Sequence, residues 1–204
     1  MKDVLDELAA TRRAMGKRNL PAGEAYTIEL RRRYRAPVDA VWDALTSPDR
    51  LPRWLQPITG DLHPGGRFEL ASGEYGDILH CDPPQSLKVS WLYGPDARPG
   101  SSEVEVHLSP GPADDTDFEL IHTATLDDPL LPTYGPGAGG VGWDLALRNL
   151  THLFAGTTPP EPHEFIRHSA AAWGRAHLAA GGDPHHVAAA VEATTAFYSS
   201  GDAS

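Results

Sequence analysis

From Tyr26 the chain alternates, with Tyr26, Ile28 and Leu30 apolar and Thr27, Glu29 and Arg31 polar, the period of a strand with one dry and one wet face. Pro37 then opens a run in which Val38, Val41, Trp42 and Leu45 recur at helical spacing. Ser47-Pro48 breaks that run before a second short helix that reaches Trp54. The pair predicts a V-shaped corner. Period two returns in Arg67–Ala71, Gly73–Cys81, Ser86–Tyr93, Ser102–Ser109 and Asp117–Ala124, each bounded by turn residues such as Ser72-Gly73, Pro83-Pro84 and Gly111 to Asp115. Leu87, Val89, Trp91 and Tyr93 share one face, Val104, Val106 and Leu108 another, and Phe118 and Leu120 a third. Sheets patterned this way leave a dry face that something must cover.

Residues Gly140–Phe154 supply the cover. Trp143, Leu147, Leu150 and Phe154 line up along one side of a helix, flanked by Val141, Leu145 and Leu153. The irregular, proline-rich stretch Asp127–Gly139 before it reads as a mouth loop. After Gly156-Thr157-Thr158-Pro159-Pro160, two Ala-rich helices follow over Glu164–Ala180 and Pro184–Ser199, with Asp183 placed as an N-cap. They are expected to dock through Phe165, Trp173, Val187, Val191, Phe197 and Tyr198 as a satellite of a core already complete. At the other end, Val4 and Leu8 suggest a helix over Val4–Ala14, stopped by Gly16 and Pro21. The expected organisation is an N-terminal helical arm (1–23), a sheet-and-helix domain (24–155) and a helical C-terminal extension (156–204).

Composition narrows the function classes. The chain has 204 residues, 40% of them hydrophobic, which suits one domain with an appendage. Its net charge is −11, so it repels phosphate backbones, and nucleic-acid binding would rest on the run Arg31-Arg32-Arg33-Tyr34-Arg35 alone. In an alternating strand Arg31, Arg33 and Arg35 share a solvated face, while Arg32 needs a partner on the other. The first residues carry acids where a signal peptide needs basic and then apolar groups, and the sequence has no run of about 18 apolar residues, so the expectation is a cytoplasmic protein without membrane contact. The one cysteine, Cys81, excludes an internal disulfide and reads as a bystander.

The run Arg35-Ala36-Pro37-Val38-Asp39-Ala40-Val41-Trp42-Asp43-Ala44-Leu45-Thr46-Ser47-Pro48, then Leu51-Pro52-Arg53-Trp54 and Gly65-Gly66-Arg67-Phe68, resembles the SRPBCC superfamily. The subgroup it is most similar to is the activator of Hsp90 ATPase homologue 1-like family, with the likeness covering about residues 24–154. The resemblance implies an α+β, helix-grip (Bet v 1-like) fold: a curved antiparallel sheet around a long C-terminal helix, with a cavity between them. The Ala-rich tail is an addition to that pattern. Members of the superfamily range from lipid carriers to polyketide aromatases, co-chaperones and antibiotic self-resistance proteins, so fold kinship does not choose the function.

In the family arrangement Trp54, Phe68, Trp91, Phe118, Trp143 and Leu147 face the space between sheet and helix, and His122 shares the parity of Phe118 and Leu120. These seven residues are the expected cavity lining, and convergent aromatic groups with a few polar ones suit a small hydrophobic or aromatic metabolite. Among groups that could exchange protons, Glu69 and His107 point outward by parity, His80 lies on a strand, and Glu74 and Tyr75 start one near the rim. The leading expectation is binding without catalysis; the rivals are an aromatase or cyclase using His122, or Glu74 with Tyr75, and a co-chaperone-like interaction module. No cofactor is implied. The histidines of the tail have no Cys or clustered carboxylate to complete a metal site, and Gly135–Gly140 lacks the context of a nucleotide loop. A homodimer through the tail is left open.

Overall fold

The structure is a computed structural model that describes residues 2–200; Met1 of the expected arm and residues 201–204 of the expected extension lie outside the described residues. Among the described residues the order is α1 (Lys2–Ala9), β1 (Thr11–Leu20), β2 (Gly23–Tyr34), α2 (Val38–Thr46), a 3-10 turn at Leu51–Arg53, β3 (Ile58–Gly60), β4 (Arg67–Leu70) and β5 (Glu74–Asp82). Then come β6 (Ser86–Ser90), β7 (Leu92–Tyr93), β8 (Ser102–Pro110), β9 (Thr116–Thr125), α3 (Leu131–Tyr134), α4 (Gly137–Ala155), α5 (His163–Ala179) and α6 (Pro184–Ser199). All strand pairs are antiparallel, in the order β1-β2-β9-β8-β6-β5-β4-β3, with β7 paired to β5.

This is an α+β helix-grip fold: one open antiparallel sheet closed by α4, with the Ala-rich helices α5 and α6 after it. The alternation read from the sequence sets which side chains meet. Ile28, Leu30 and Tyr34 of β2, Val104, Val106 and Leu108 of β8, and Phe118 and Leu120 of β9 form one cluster with Val141, Leu147 and Leu150 of α4. Their polar neighbours pair across the outer face, as in Arg31 to Glu119 and Arg33 to Asp117. Arg32, on the inner side, lies 4.7 Å from the centroid of the Tyr34 ring and donates to the Leu147 carbonyl at 3.3 Å. Arg31, Arg32 and Arg33 of the basic run are thus engaged within the fold.

The N-terminal segment differs from the helical reading. Its helix ends at Ala9, and Thr11–Leu20 is a strand paired with β2 over ten residues, from Thr11 opposite Arg32 to Leu20 opposite Gly23. Pro21 therefore stands in a tight turn between strands, not beyond a helix. The strand has little apolar alternation because it is an edge strand. Its exposed Arg12 and Arg18 put charge on that edge, a device that discourages pairing with another chain. Two strands were also outside the expectation: β3, and the separation of β7 from β6 at Trp91.

The tail is more than a satellite. Ile166, Ala170 and Trp173 belong to the same buried cluster as the sheet and α4, and Trp173 is 1% exposed. Two glycines of α4 make room for it. A Cβ on Gly140 would lie 2.2 Å from the Trp173 ring, and one on Gly142 would lie 2.8 Å from the Tyr198 hydroxyl. The glycine-rich start of α4 is therefore the surface on which two aromatic groups of the tail rest.

Candidate functional site

The site begins with a break in a strand. β6 pairs with β5 through Val89 opposite Ile78, β7 pairs with it through Leu92 opposite Tyr75, and Trp91 sits between. Gly76 lets the two strands approach there, since a Cβ would meet the Ser90 carbonyl oxygen at 1.9 Å. Interruptions of this kind re-aim a side chain. The Trp91 indole turns into the interior and lies against Trp143 of α4, with ring centroids 5.0 Å apart, and against Phe68 of β4 at 5.9 Å.

On one side of this aromatic partition is a cleft of about 550 Å³. Trp91, His122 and Ala124 line it along the strands, with Tyr26 from β2, and Leu92, Tyr93 and Leu130 add apolar surface toward the mouth. Its rim is acidic: Glu74, Asp96, Asp127 and Asp128 lie on it together with Arg98. Arg98 pairs with Asp127, which also accepts a hydrogen bond from the Thr125 hydroxyl at 2.6 Å. Burial first, and then the nearby Asp128 carboxylate, raises the Tyr26 phenol above its ordinary pKa. Tyr26 therefore stays protonated and can donate a hydrogen bond. The tail feels the charge of one cleft residue, Glu74. Tyr198 of α6 donates to the Ala138 carbonyl at 3.1 Å, and burial together with the charge of Glu74 pushes its phenol up to about 12.

His122 lies between two partners. Trp143 Nε1 donates to His122 Nδ1 at 3.1 Å, and His122 Nε2 is 2.8 Å from Ser102 Oγ. An indole nitrogen can only donate. Nδ1 is therefore unprotonated, Nε2 carries the hydrogen, and the imidazole donates to Ser102. Burial pushes its pKa down to about 4, consistent with a neutral ring at ordinary pH. In this tautomer His122 cannot take a proton from Ser102, and its free lone pair is already engaged by Trp143.

The residues expected to line one cavity are divided. Trp91 and His122 line the cleft, Phe68 lies beyond Trp91, and Trp143 backs Trp91 while being only 8% exposed. Trp54, Phe118 and Leu147 are buried within the general core, with Trp54 Nε1 donating to the Ala44 carbonyl at 2.8 Å. Glu69, His80 and His107 are exposed, while Tyr75 donates to the Gly94 carbonyl at 3.1 Å. Glu74 lines the cleft and accepts a hydrogen bond from Ser72. Sequence reasoning overlooked Tyr26 and Ser102 as site residues, although parity could have found both: Tyr26 alternates with Ile28, and Ser102 with Val104. The rim carboxylates of the mouth loop had no such signal. Among the described residues, no three His, Cys, Asp or Glu side chains group to hold a metal ion. Among the described residues, no helix is long and apolar enough to cross a membrane.

The helix-grip architecture and the aromatic cleft define an SRPBCC-type protein. The sequence matches the family described as "Activator of Hsp90 ATPase homolog 1-like protein" over residues 35–155, and the chain belongs to that family. The crystal structure of CalU16 from Micromonospora echinospora is 42% identical, covering 82% of this chain and 98% of that one with a TM-score of 0.68. Its solution structure is 39% identical, covering 85% and 97%, with a TM-score of 0.67. An Hsp90 activator from Plasmodium falciparum shares the fold at 20% identity, covering 65% of this chain and 97% of that one with a TM-score of 0.52. No curated relative matches the chain. The fold family is known for binding small hydrophobic ligands and holds both non-enzymes and polyketide cyclase-like proteins.

Proposed function

We propose that this protein binds a small hydrophobic or aromatic metabolite in the cleft floored by Trp91 and His122, without carrying out chemistry on it. The observation that carries this reading is the hydrogen bond from Trp143 to His122 Nδ1. It joins a polar group of the cleft to the aromatic partition and leaves that group without the free lone pair a general base needs. A volume of about 550 Å³ falls within the range of small-molecule sites, ~300–1,000 Å³. The acidic rim favours a ligand whose aromatic body carries a cationic or hydrogen-bond-donating edge.

The test is a fluorescence titration with a polycyclic aromatic quinone. Bound against Trp91, the quinone quenches tryptophan emission in a saturable manner and raises the melting temperature, as any ligand of the native state must. Trp91→Ala weakens that binding. Absence of saturable quenching by such probes, or turnover of a polyketide-type substrate that disappears in a folded His122→Gln variant, would sink the reading.

A further inference from the structure

On the other side of Trp91 lies a second pocket, of about 140 Å³, between α2, the Leu51–Arg53 turn and the β4–β6 end of the sheet. Leu45, Leu55, Ile58, Phe68, Ile78 and Leu87 make most of its wall, and Trp91 closes the back. We propose that this pocket is a second binding site, for a benzene-sized apolar ring or a short alkyl group, distinct from the cleft.

Its size and lining carry the proposal. An apolar cavity of ~150 Å³ walled by Leu, Ile and Phe stays dry and accepts benzene. Two polar groups at its edge already have partners: Thr46 Oγ1 donates to the Trp42 carbonyl at 2.9 Å, and His63 Nδ1 lies 3.0 Å from the Pro64 carbonyl. A polar ligand would find few partners there, whereas a hydrocarbon needs none. The backbone also keeps the wall apolar. β5 shifts register between Ile78, opposite Val89, and His80, opposite Lys88, so Leu79 is an extra residue, 48% exposed. This bulge brings Ile78 and Cys81 to the same pocket although they are three residues apart, and leaves the His80 ring outside. Unbroken alternation would have put His80 on the wall in place of Cys81.

Cys81 is the reporter. In the full chain, saturating benzene should slow alkylation of Cys81 by a maleimide at least fivefold and shift the methyl resonances of Leu45, Leu55 and Ile78. Leu87→Trp and Leu55→Trp, each filling the pocket, should remove the protection while the quinone still quenches from the cleft. Unchanged alkylation and methyl resonances in the unsubstituted protein overturn the proposal, with no need for either variant to fold. Equal protection in a folded, filled variant also overturns it, because benzene would then act elsewhere. Loss of quinone binding with benzene protection intact would instead count against the cleft reading and leave this site standing.

Discussion

Arg13 and Asp144 lie 131 residues apart and meet in a two-point ion pair, Nε to Oδ2 at 2.8 Å and Nη2 to Oδ1 at 2.9 Å. The same carboxylate accepts Ser169 Oγ at 2.6 Å and Trp173 Nε1 at 3.0 Å. Asp144 is 2% exposed, so one buried charge ties β1, α4 and α5 together. Removing one partner of a buried pair leaves the other charge uncompensated, which costs ~3–5 kcal/mol. Asp144→Ala should lose about that much in urea denaturation, and Ser169→Ala ~1.5–3 kcal/mol, the usual worth of a hydrogen bond to a charged group. A loss below 1 kcal/mol for Asp144→Ala would mean that the network adds little to folding.

Gly140→Ala tests the docking of the tail from the other side. In an exposed helix the substitution would gain ~1 kcal/mol of helix propensity. Here the new methyl meets the Trp173 ring at 2.2 Å, and overpacking of a core typically costs ~1–3 kcal/mol. The expected outcome is net destabilisation, seen as a lower melting temperature. A rise would show that α5 can move off α4 without penalty.

These contacts mark where the sequence stopped being legible. Tyr26 to Leu30 and Val104 to Leu108 announced their strands because one face of each is dry, and Pro37 to Leu45 announced its helix by spacing. β1 gave no comparable signal, since its polar edge takes its order from pairing with β2. The partition was harder still. Trp91, Trp143 and Phe68 were recognisable as inward-facing, but their mutual contacts depend on the β6–β7 break and on helix placement. Side-chain period two could not foresee the bulge at Leu79, which shifts the register of Cys81. Nothing in the sequence marks Asp144, because its partners Arg13, Ser169 and Trp173 lie on other elements, before and after it in the chain.

His122 gives a pH dependence with a definite sign. Its folded pKa of about 4 lies below the ordinary 6.5, so between those values the unfolded chain binds more protons than the native one. Stability from this residue is then complete above pH 6.5 and is lost as pH falls toward 4, by at most about 3 kcal/mol. His122→Gln should flatten the corresponding part of the pH–stability curve, provided the variant folds. NMR titration of the His122 ring gives the direct check; a midpoint near 6.5 would contradict an enclosed, neutral imidazole.

The charge at the cleft mouth predicts a preference among aromatic probes. Glu74, Asp96, Asp127 and Asp128 face it with Arg98 as the basic partner, and Arg98 already pairs with Asp127. The local field therefore favours a cationic acridine dye over an anionic anilinonaphthalene sulfonate of similar apolar area. A difference of about tenfold at low salt corresponds to ~1.4 kcal/mol. It should shrink in 1 M salt, where the screening length falls to ~3 Å. Glu74→Gln should reduce the cationic preference at low salt while leaving binding of a neutral quinone nearly unchanged, because the quinone rests on Trp91. Equal affinities for the two charged dyes at low salt would show that the rim carboxylates are too well solvated to select a ligand, and that the aromatic floor alone sets binding.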